Sequence, residues 1–353
     1  MIHARLVKRF PARPDSAEFR LDAAIEAREG VTVLFGPSGA GKTLILEAIA
    51  GFARPDSGRI LLDDEILFDA DAQVFRRPGA RRCGYVQQRE ALFPHMTLRG
   101  NIEFAAERLP HVERHRRVKE MIERFRLSES AGRRPHQVSG GQRQRCAIAR
   151  ALITNPKALL LDEPARGLDA PLRNELYAVL RQVKADYRIP VLLVTHDLDE
   201  CFELGDVMFV LDSGRVVQRG TPSEVAARPA GIDVARLLGI PNLLRAGILA
   251  LDPGKNTSRL RLDRFDLQGP YYPGRLLGDE VWITASPSAL RVMHAGTPGR
   301  NQILLRMIRR VDRPSLVRLE FDGGVTVETA NPPAGADNGD WLVEFPPEAI
   351  RLL

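Results

Sequence analysis

Eight consecutive residues, Gly36-Pro37-Ser38-Gly39-Ala40-Gly41-Lys42-Thr43, have the order and composition of a phosphate cradle. Glycines let a backbone turn so that successive N–H groups converge on phosphate oxygens. The run follows an apolar segment, Val31–Phe35, and opens a helical pattern, so the positive end of a helix is aimed at the same point. In such a loop Lys42 reaches the β- and γ-phosphates and the Thr43 hydroxyl ligates Mg²⁺. The metal needs a second, acidic ligand. Leu159-Leu160-Leu161-Asp162-Glu163-Pro164 supplies one, with Asp162 at the tip of an apolar strand. Glu163 comes next, placed to orient or deprotonate an attacking water.

Between these two elements lies Val138-Ser139-Gly140-Gly141-Gln142-Arg143-Gln144-Arg145, which closely resembles the signature motif of ABC-transporter ATPases. Its Gln142 precedes Asp162 by 20 residues, the family's arrangement. Gln88, in Gly84-Tyr85-Val86-Gln87-Gln88, resembles the Q-loop glutamine. Gly167-Leu168-Asp169 resembles the D-loop, and His196, 33 residues beyond Glu163, resembles the switch histidine. The resemblance covers roughly residues 1–240. Three departures stand out: Gln87 where relatives often have an aromatic, Val138 for leucine, and Arg166 where many carry serine.

The resemblance implies ATP and Mg²⁺ as cofactors. Nucleotide contacts are expected from Gly36, Pro37, Ser38, Gly39, Ala40, Gly41, Lys42, Thr43, Gln88, Asp162, Glu163 and His196, with Thr43, Gln88 and Asp162 on the metal. Glu163, His196 and Gln88 would carry catalysis, and Phe10 is the candidate for stacking on adenine. In the family two subunits pair head to tail, and each signature faces the other's P-loop. Ser139, Gly140, Gly141 and Gln142 suit that role physically, because a helix start is a second anion site. With one P-loop and one signature, the chain completes the arrangement only by pairing with a second copy.

Leu92-Phe93-Pro94-His95-Met96-Thr97-Leu98, followed by Gly100-Asn101-Ile102, looks like the segment after the Q-loop in bacterial importer ATPases. There the helical insert receives a coupling helix from the membrane subunit. The implied partners are transmembrane permease subunits and, indirectly, a periplasmic or extracellular solute-binding protein. The implied location is peripheral, on the cytoplasmic face of the cell membrane. A soluble ABC ATPase acting on nucleic acid or ribosomes is the competing class. Such proteins usually carry paired ATPase domains or a long coiled coil, neither of which is seen here, so no nucleic-acid partner is expected.

These residues need elements to hold them. Val31–Phe35, Ala158–Leu161 and Pro190–Thr195 are continuous apolar runs, the texture of strands buried on both faces of a parallel sheet. Helical patterns cover Lys42–Ala50, Gly141–Thr154 and Leu172–Asp186, and Phe19, Leu21 and Ile25 share one parity of a half-buried strand. The expected fold is α/β: a P-loop NTPase core of the ABC type over 1–220, with a helical insert at about 90–150. A helical connector spans 221–241, punctuated by Gly220-Thr221-Pro222 and Ile240-Pro241-Asn242. From 242 to 353 short alternating segments such as Arg259–Leu262 and Val281–Ile283 predict a small all-β barrel. Ala334–Asp340 reads as a polar turn within it.

Composition fits this organisation. Hydrophobic residues make up 44% and charged residues 27%, which excludes wholesale disorder. Three scattered cysteines exclude a disulfide scaffold and suit a reducing compartment. The opening residues lack the pattern of a signal peptide, and no apolar run approaches the ~18 residues of a membrane span. The net charge of +6 is spread among acids, the pattern of a solvated surface.

The C-terminal region resembles the β-barrel appended to importer ATPases for oxyanions and sugars. Gly278–Ile283 running into Ser286–Val292 carries that likeness, with Ser286-Pro287-Ser288 where Arg-Pro-Glu is common. The short spacing from Gly36 to Gln88, Ile66-Leu67-Phe68-Asp69 and Arg76-Arg77-Pro78 look most like molybdate-importer ATPases. Sulfate, iron and sugar importers stay open as alternatives.

Overall fold

The computed structural model describes residues 1–12, 17–88, 91–263, 265–332 and 339–353. Two compact units emerge, Met1–Ala227 and Arg228–Leu353. The division falls inside the stretch 221–241, which holds two short helices, Pro222–Ala227 and Ile232–Leu237.

The first unit is built on one eleven-stranded sheet. In chain order its elements are β1 (Ile2–Phe10), β2 (Phe19–Ala27), β3 (Gly30–Phe35), α1 (Lys42–Ala50), β4 (Ser57–Leu62), β5 (Glu65–Asp69), β6 (Val74–Phe75) and β7 (Cys83–Val86). The helices α2 (Leu98–Ala105), α3 (His111–Arg124) and α4 (Gly140–Leu152) follow without an intervening strand. Then come β8 (Ala158–Asp162), α5 (Ala170–Tyr187), β9 (Pro190–Thr195), α6 (Leu198–Leu204), β10 (Val207–Asp212) and β11 (Arg215–Gly220).

The sheet order is β6-β5-β4-β1-β2-β11-β10-β3-β9-β8-β7. Strands β10, β3, β9, β8 and β7 run parallel, and every residue of β3, β8 and β9 is buried, as their unbroken apolar sequences require. The other half is antiparallel except where β11 meets β2 in parallel. There β2 alternates, with Leu21, Ala23, Ile25 and Ala27 turned to the core. Because the parallel strands all end on one edge, the loops after β3, β9, β8 and β7 open side by side. That edge of a parallel sheet is where ligands bind.

Two local devices stiffen the frame. Asn101 is fully buried; its Oδ1 accepts from the Phe93 N–H at 2.7 Å and its Nδ2 donates to the Phe93 and Thr97 carbonyls. Thr97 caps α2, accepting from the Gly100 N–H at 3.0 Å. The second device is Arg81, also fully buried. Its Nη1 donates to the Ala48 and Ile49 carbonyls at 2.6 and 2.8 Å, satisfying the C-terminal end of α1, and its Nε donates to the Arg76 carbonyl at 2.7 Å.

The second unit holds two five-stranded antiparallel sheets. One runs Phe265–Pro270, Thr257–Leu262, Leu244–Asp252, Glu280–Ala285, Ile350–Leu352; the other runs Arg291–His294, Asp340–Glu344, Gln302–Asp312, Val317–Phe321, Thr326–Thr329. Among the described residues these two sheets make up the small all-β domain expected over this region. One apolar core, including Leu260, Ile283, Leu319 and Val343, lies between them. Two buried asparagines tie the sheets. Asn242 donates to the Ala285 and Thr326 carbonyls, both at 2.9 Å, and Asn301 donates to the Gln268 and Phe345 carbonyls at 2.8 and 2.7 Å. The turn expected at 334–340 lies mostly outside the described residues.

Each unit therefore has its own core. A chain ending at Ala227 is expected to fold and to bind ATP, since every motif residue precedes 197. Circular dichroism and nucleotide titration check this, and a folded fragment that binds no ATP would contradict it.

Candidate functional site

Glycine chemistry shapes the cradle. Gly41 caps α1 with φ of 95°, a left-handed conformation, and a Cβ there would meet the Leu21 side chain at 2.9 Å and the Phe19 ring at 3.2 Å. No side chain caps this helix, so its first N–H groups face the loop unscreened. Lys42 is 5% exposed, and its Nζ donates to the Gly36 and Pro37 carbonyls, both at 2.8 Å. Burial pushes its ammonium pKa down, opposed by the charges of Glu163 and Asp162.

The next strand ends deliver the acids. Asp162 is 3% exposed and accepts from the Thr43 hydroxyl at 3.1 Å. Burial raises its pKa above the usual carboxylate value, against the Thr43 hydrogen bond. A hydroxyl beside a carboxylate fits Mg²⁺, a hard cation that takes one or two protein oxygens and completes its shell with water and phosphate.

Glu163 is the hub. Its backbone is left-handed, with φ of 47°, unusual for a residue with a side chain and often found at functional sites. Gln88 Nε2 donates to its Oε2 at 2.8 Å, Arg166 Nη1 donates to the same oxygen at 2.7 Å, and His196 Nδ1 lies 3.1 Å from Oε1. Burial pushes this carboxyl up, but the hydrogen bonds from Arg166 and His196 together outweigh it and hold the pKa below the ordinary value. Gln88, rather than Gln87, is the glutamine that enters the cluster.

The structure thus brings Lys42, Thr43, Gln88, Asp162, Glu163 and His196 to one sheet edge. Ser139 and Gln142 are engaged elsewhere, in a reciprocal capping box at the start of α4. The Gln142 N–H donates to Ser139 Oγ at 3.2 Å, and the Ser139 N–H donates to Gln142 Oε1 at 3.1 Å. A Cβ on Gly140 would meet the Leu168 side chain of the D-loop at 3.2 Å, so signature and D-loop pack together. Asp169 caps α5, accepting from the Leu172 N–H at 3.0 Å. Phe10 is 40% exposed, and its ring lies 6.3 Å from that of Phe19, its cross-strand partner.

A sequence model of the ABC transporter family matches residues 21–166. The chain is 37% identical over 251 residues to the molybdenum import ATP-binding protein of Paramagnetospirillum magneticum, covering 71% of this chain and 69% of that one. This chain belongs to the ABC transporter ATP-binding family. A trehalose/maltose import ATP-binding protein of Thermococcus litoralis is 34% identical and covers 86% of this ABC protein and 84% of its own length. Among solved structures, a dimeric post-hydrolysis state of an ATP-binding cassette bound to ADP and Pi aligns with a TM-score of 0.54 at 27% identity. It covers 63% of this chain and 99% of its own. As an ABC cassette the protein is an ATPase coupled to transport. Among the described residues no helix is long and apolar enough to cross a membrane.

Three structural features of this ABC cassette escaped the sequence. Phe19 lies against Gly41, and only the hairpin register that pairs it with Phe10 reveals it. The contact of Arg166 with Glu163 follows from a turn, three residues long, that no propensity specifies. Glu200 is buried on the first turn of α6, four residues beyond His196.

Proposed function

We propose that two copies of this chain pair head to tail, close over two ATP, and energise import of a small solute, an inorganic oxyanion such as molybdate. The main support is the cluster that joins Gln88, Glu163 and His196 beside Lys42, Thr43 and Asp162. Bound Mg²⁺ would supply charge neutralisation of the phosphates, held by Thr43 and Asp162 with Gln88 as the third candidate ligand. Lys42 exchanges its two carbonyl partners for phosphate oxygens. Glu163 takes the proton of the attacking water, and His196 holds the γ-phosphate. Ser139 and the N–H groups at the start of α4 serve the partner's nucleotide, while Phe10, with Phe19 beside it, flanks the adenine. Gln88 and the segment Leu92–Ile102 pass closure to permease subunits, which hold the protein at the cytoplasmic face of the membrane. A solute-binding protein acts on the far side.

The oxyanion reading draws on the likeness to the molybdenum import protein. The trehalose/maltose relative favours a second reading, sugar import, because that likeness extends over more of the chain. The test is to co-purify the protein with its membrane partner and measure ATPase stimulation by solute-loaded binding protein. Stimulation by molybdate and tungstate is the expected result. Stimulation by sulfate or maltose alone would replace the substrate, and failure to co-purify with any permease would overturn the transport role.

A further inference from the structure

The signature helix α4 ends against the segment that follows Gln88. Arg150, in its last turn, donates from Nη1 to the Ala91 carbonyl at 2.9 Å, and the same nitrogen lies 3.5 Å from Asn101 Oδ1. The guanidinium sits over the Phe93 ring, 5.6 Å from its centroid. One turn earlier on the same face, the fully buried Cys146 donates from Sγ to the Leu98 carbonyl at 3.5 Å. The far end of α4 thus grips both ends of the stretch 91–98.

What Arg150 holds is strained. Ala91 has a φ of 48°, in the left-handed region that a residue with a side chain rarely enters. Such a turn persists only where its surroundings fix it. Arg150 supplies the fixing, with a charged donor on the Ala91 carbonyl and a planar face on Phe93 two residues later. A guanidinium can do both at once; an ammonium cannot. Ala91 follows Gln88 by three residues, and Gln88 Nε2 is the donor that meets Glu163 Oε2 at 2.8 Å. Ser139 opens the same helix 11 residues before Arg150 (150 − 139), about 16 Å away along the axis. One helix therefore presents the signature at its start and holds the exit from Gln88 at its end.

We propose that Arg150 is a positioning residue for hydrolysis, which holds the left-handed turn at Ala91 and so sets Gln88 against Glu163. Without the guanidinium, Ala91 relaxes toward an ordinary backbone conformation, and the chain leading back to Gln88 is re-aimed. Phe93 keeps its own anchor, because Asn101 Oδ1 still accepts from its N–H at 2.7 Å. Lys42, Thr43 and Asp162 take no part in the contact, so the loss falls on the placing of Gln88 and not on the phosphate cradle.

The inference rests on the role given to Gln88, and the test separates the two. Steady-state kcat and KM for ATP are measured on the full chain, with hydrogen exchange over 91–98 in the absence of nucleotide. Arg150→Met keeps an apolar stem against Phe93 but has no donor. It should lower kcat about tenfold, within what the release of one strained residue can shift. KM for ATP should stay unchanged, and exchange over 91–98 should quicken. Adding Ala91→Gly, which adopts positive φ freely, should restore most of the lost turnover; a loss of general packing would not be repaired there. In a Gln88→Ala background Arg150→Met should cost nothing further, because both act through one contact. Wild-type kcat or unchanged exchange in Arg150→Met, no recovery with Ala91→Gly, or additive losses with Gln88→Ala each overturn the proposal. Should Arg150→Met fail to fold, Ala91→Val decides. Its β-branched side chain resists the left-handed turn, so turnover should fall with Arg150 in place, and full turnover overturns the proposal. Unimpaired hydrolysis by Gln88→Ala alone would instead remove the reading of the site on which the inference rests.

Discussion

Glu163→Gln is expected to lower steady-state ATP hydrolysis by roughly 10²–10⁴-fold, the contribution of a positioned general base, while ATP binding persists. The amide has the size of the carboxylate and still accepts through its oxygen, so His196, Arg166 and Gln88 keep a partner at the hub. What disappears is the capacity to accept the proton of water. In the proposed site nucleotide binding rests chiefly on Lys42, Thr43 and the first N–H groups of α1, which the substitution leaves in place. ATP therefore accumulates uncleaved, and the closed dimer with it. Gel filtration with ATP should show a persistent dimer where wild type shows a transient one. Turnover within a few-fold of wild type would show that another group takes the proton.

Ser139→Arg is expected to abolish ATP-driven dimerisation while leaving nucleotide binding by the single subunit intact. Ser139 makes no contact with Lys42, Thr43 or Asp162 in its own chain; its partner is Gln142 in the capping box. Losing that cap costs about 1 kcal/mol, within what a folded domain tolerates. A guanidinium at the start of α4 also opposes the helix dipole there and fills the point that a partner's γ-phosphate would occupy. Light scattering on a Glu163→Gln background reads the outcome directly. A dimer formed by the double variant would refute head-to-tail pairing, and lost ATP affinity in the monomer would place Ser139 in its own subunit's site.

The parts of this site that were legible in the sequence are those whose chemistry demands consecutive residues. Gly36–Thr43 must be one loop because neighbouring N–H groups act together, and Asp162-Glu163 must end a strand because that strand aims them. Gln88 and His196 were legible by order alone, since β7 and β9 end on the same edge as β3 and β8. Arg166, Phe19 and Glu200 were not. Their surroundings arise where the chain meets itself: Arg166 reaches Glu163 across 3 residues and Phe19 faces Phe10 across 9, and packing, not spacing, sets those contacts. The second unit shows the same limit. Alternation identified its strands, but how they are shared between two sheets depends on links such as Asn242 to Thr326, 84 residues apart.

Arg81 gives the phosphate-binding helix a mechanical property. Its guanidinium grips the last carbonyls of α1, and two residues later the chain enters β7, which leads to Gln88. The helix that delivers Lys42 and Thr43 and the strand that delivers Gln88 are thus riveted at their far ends by one planar, multidentate group. A lysine in its place has a single nitrogen for three carbonyls spread over two segments. One side chain thus ties the far end of the helix that carries Lys42 and Thr43 to the start of the strand that leads to Gln88, so neither element can shift at that end without breaking a buried hydrogen bond of the guanidinium.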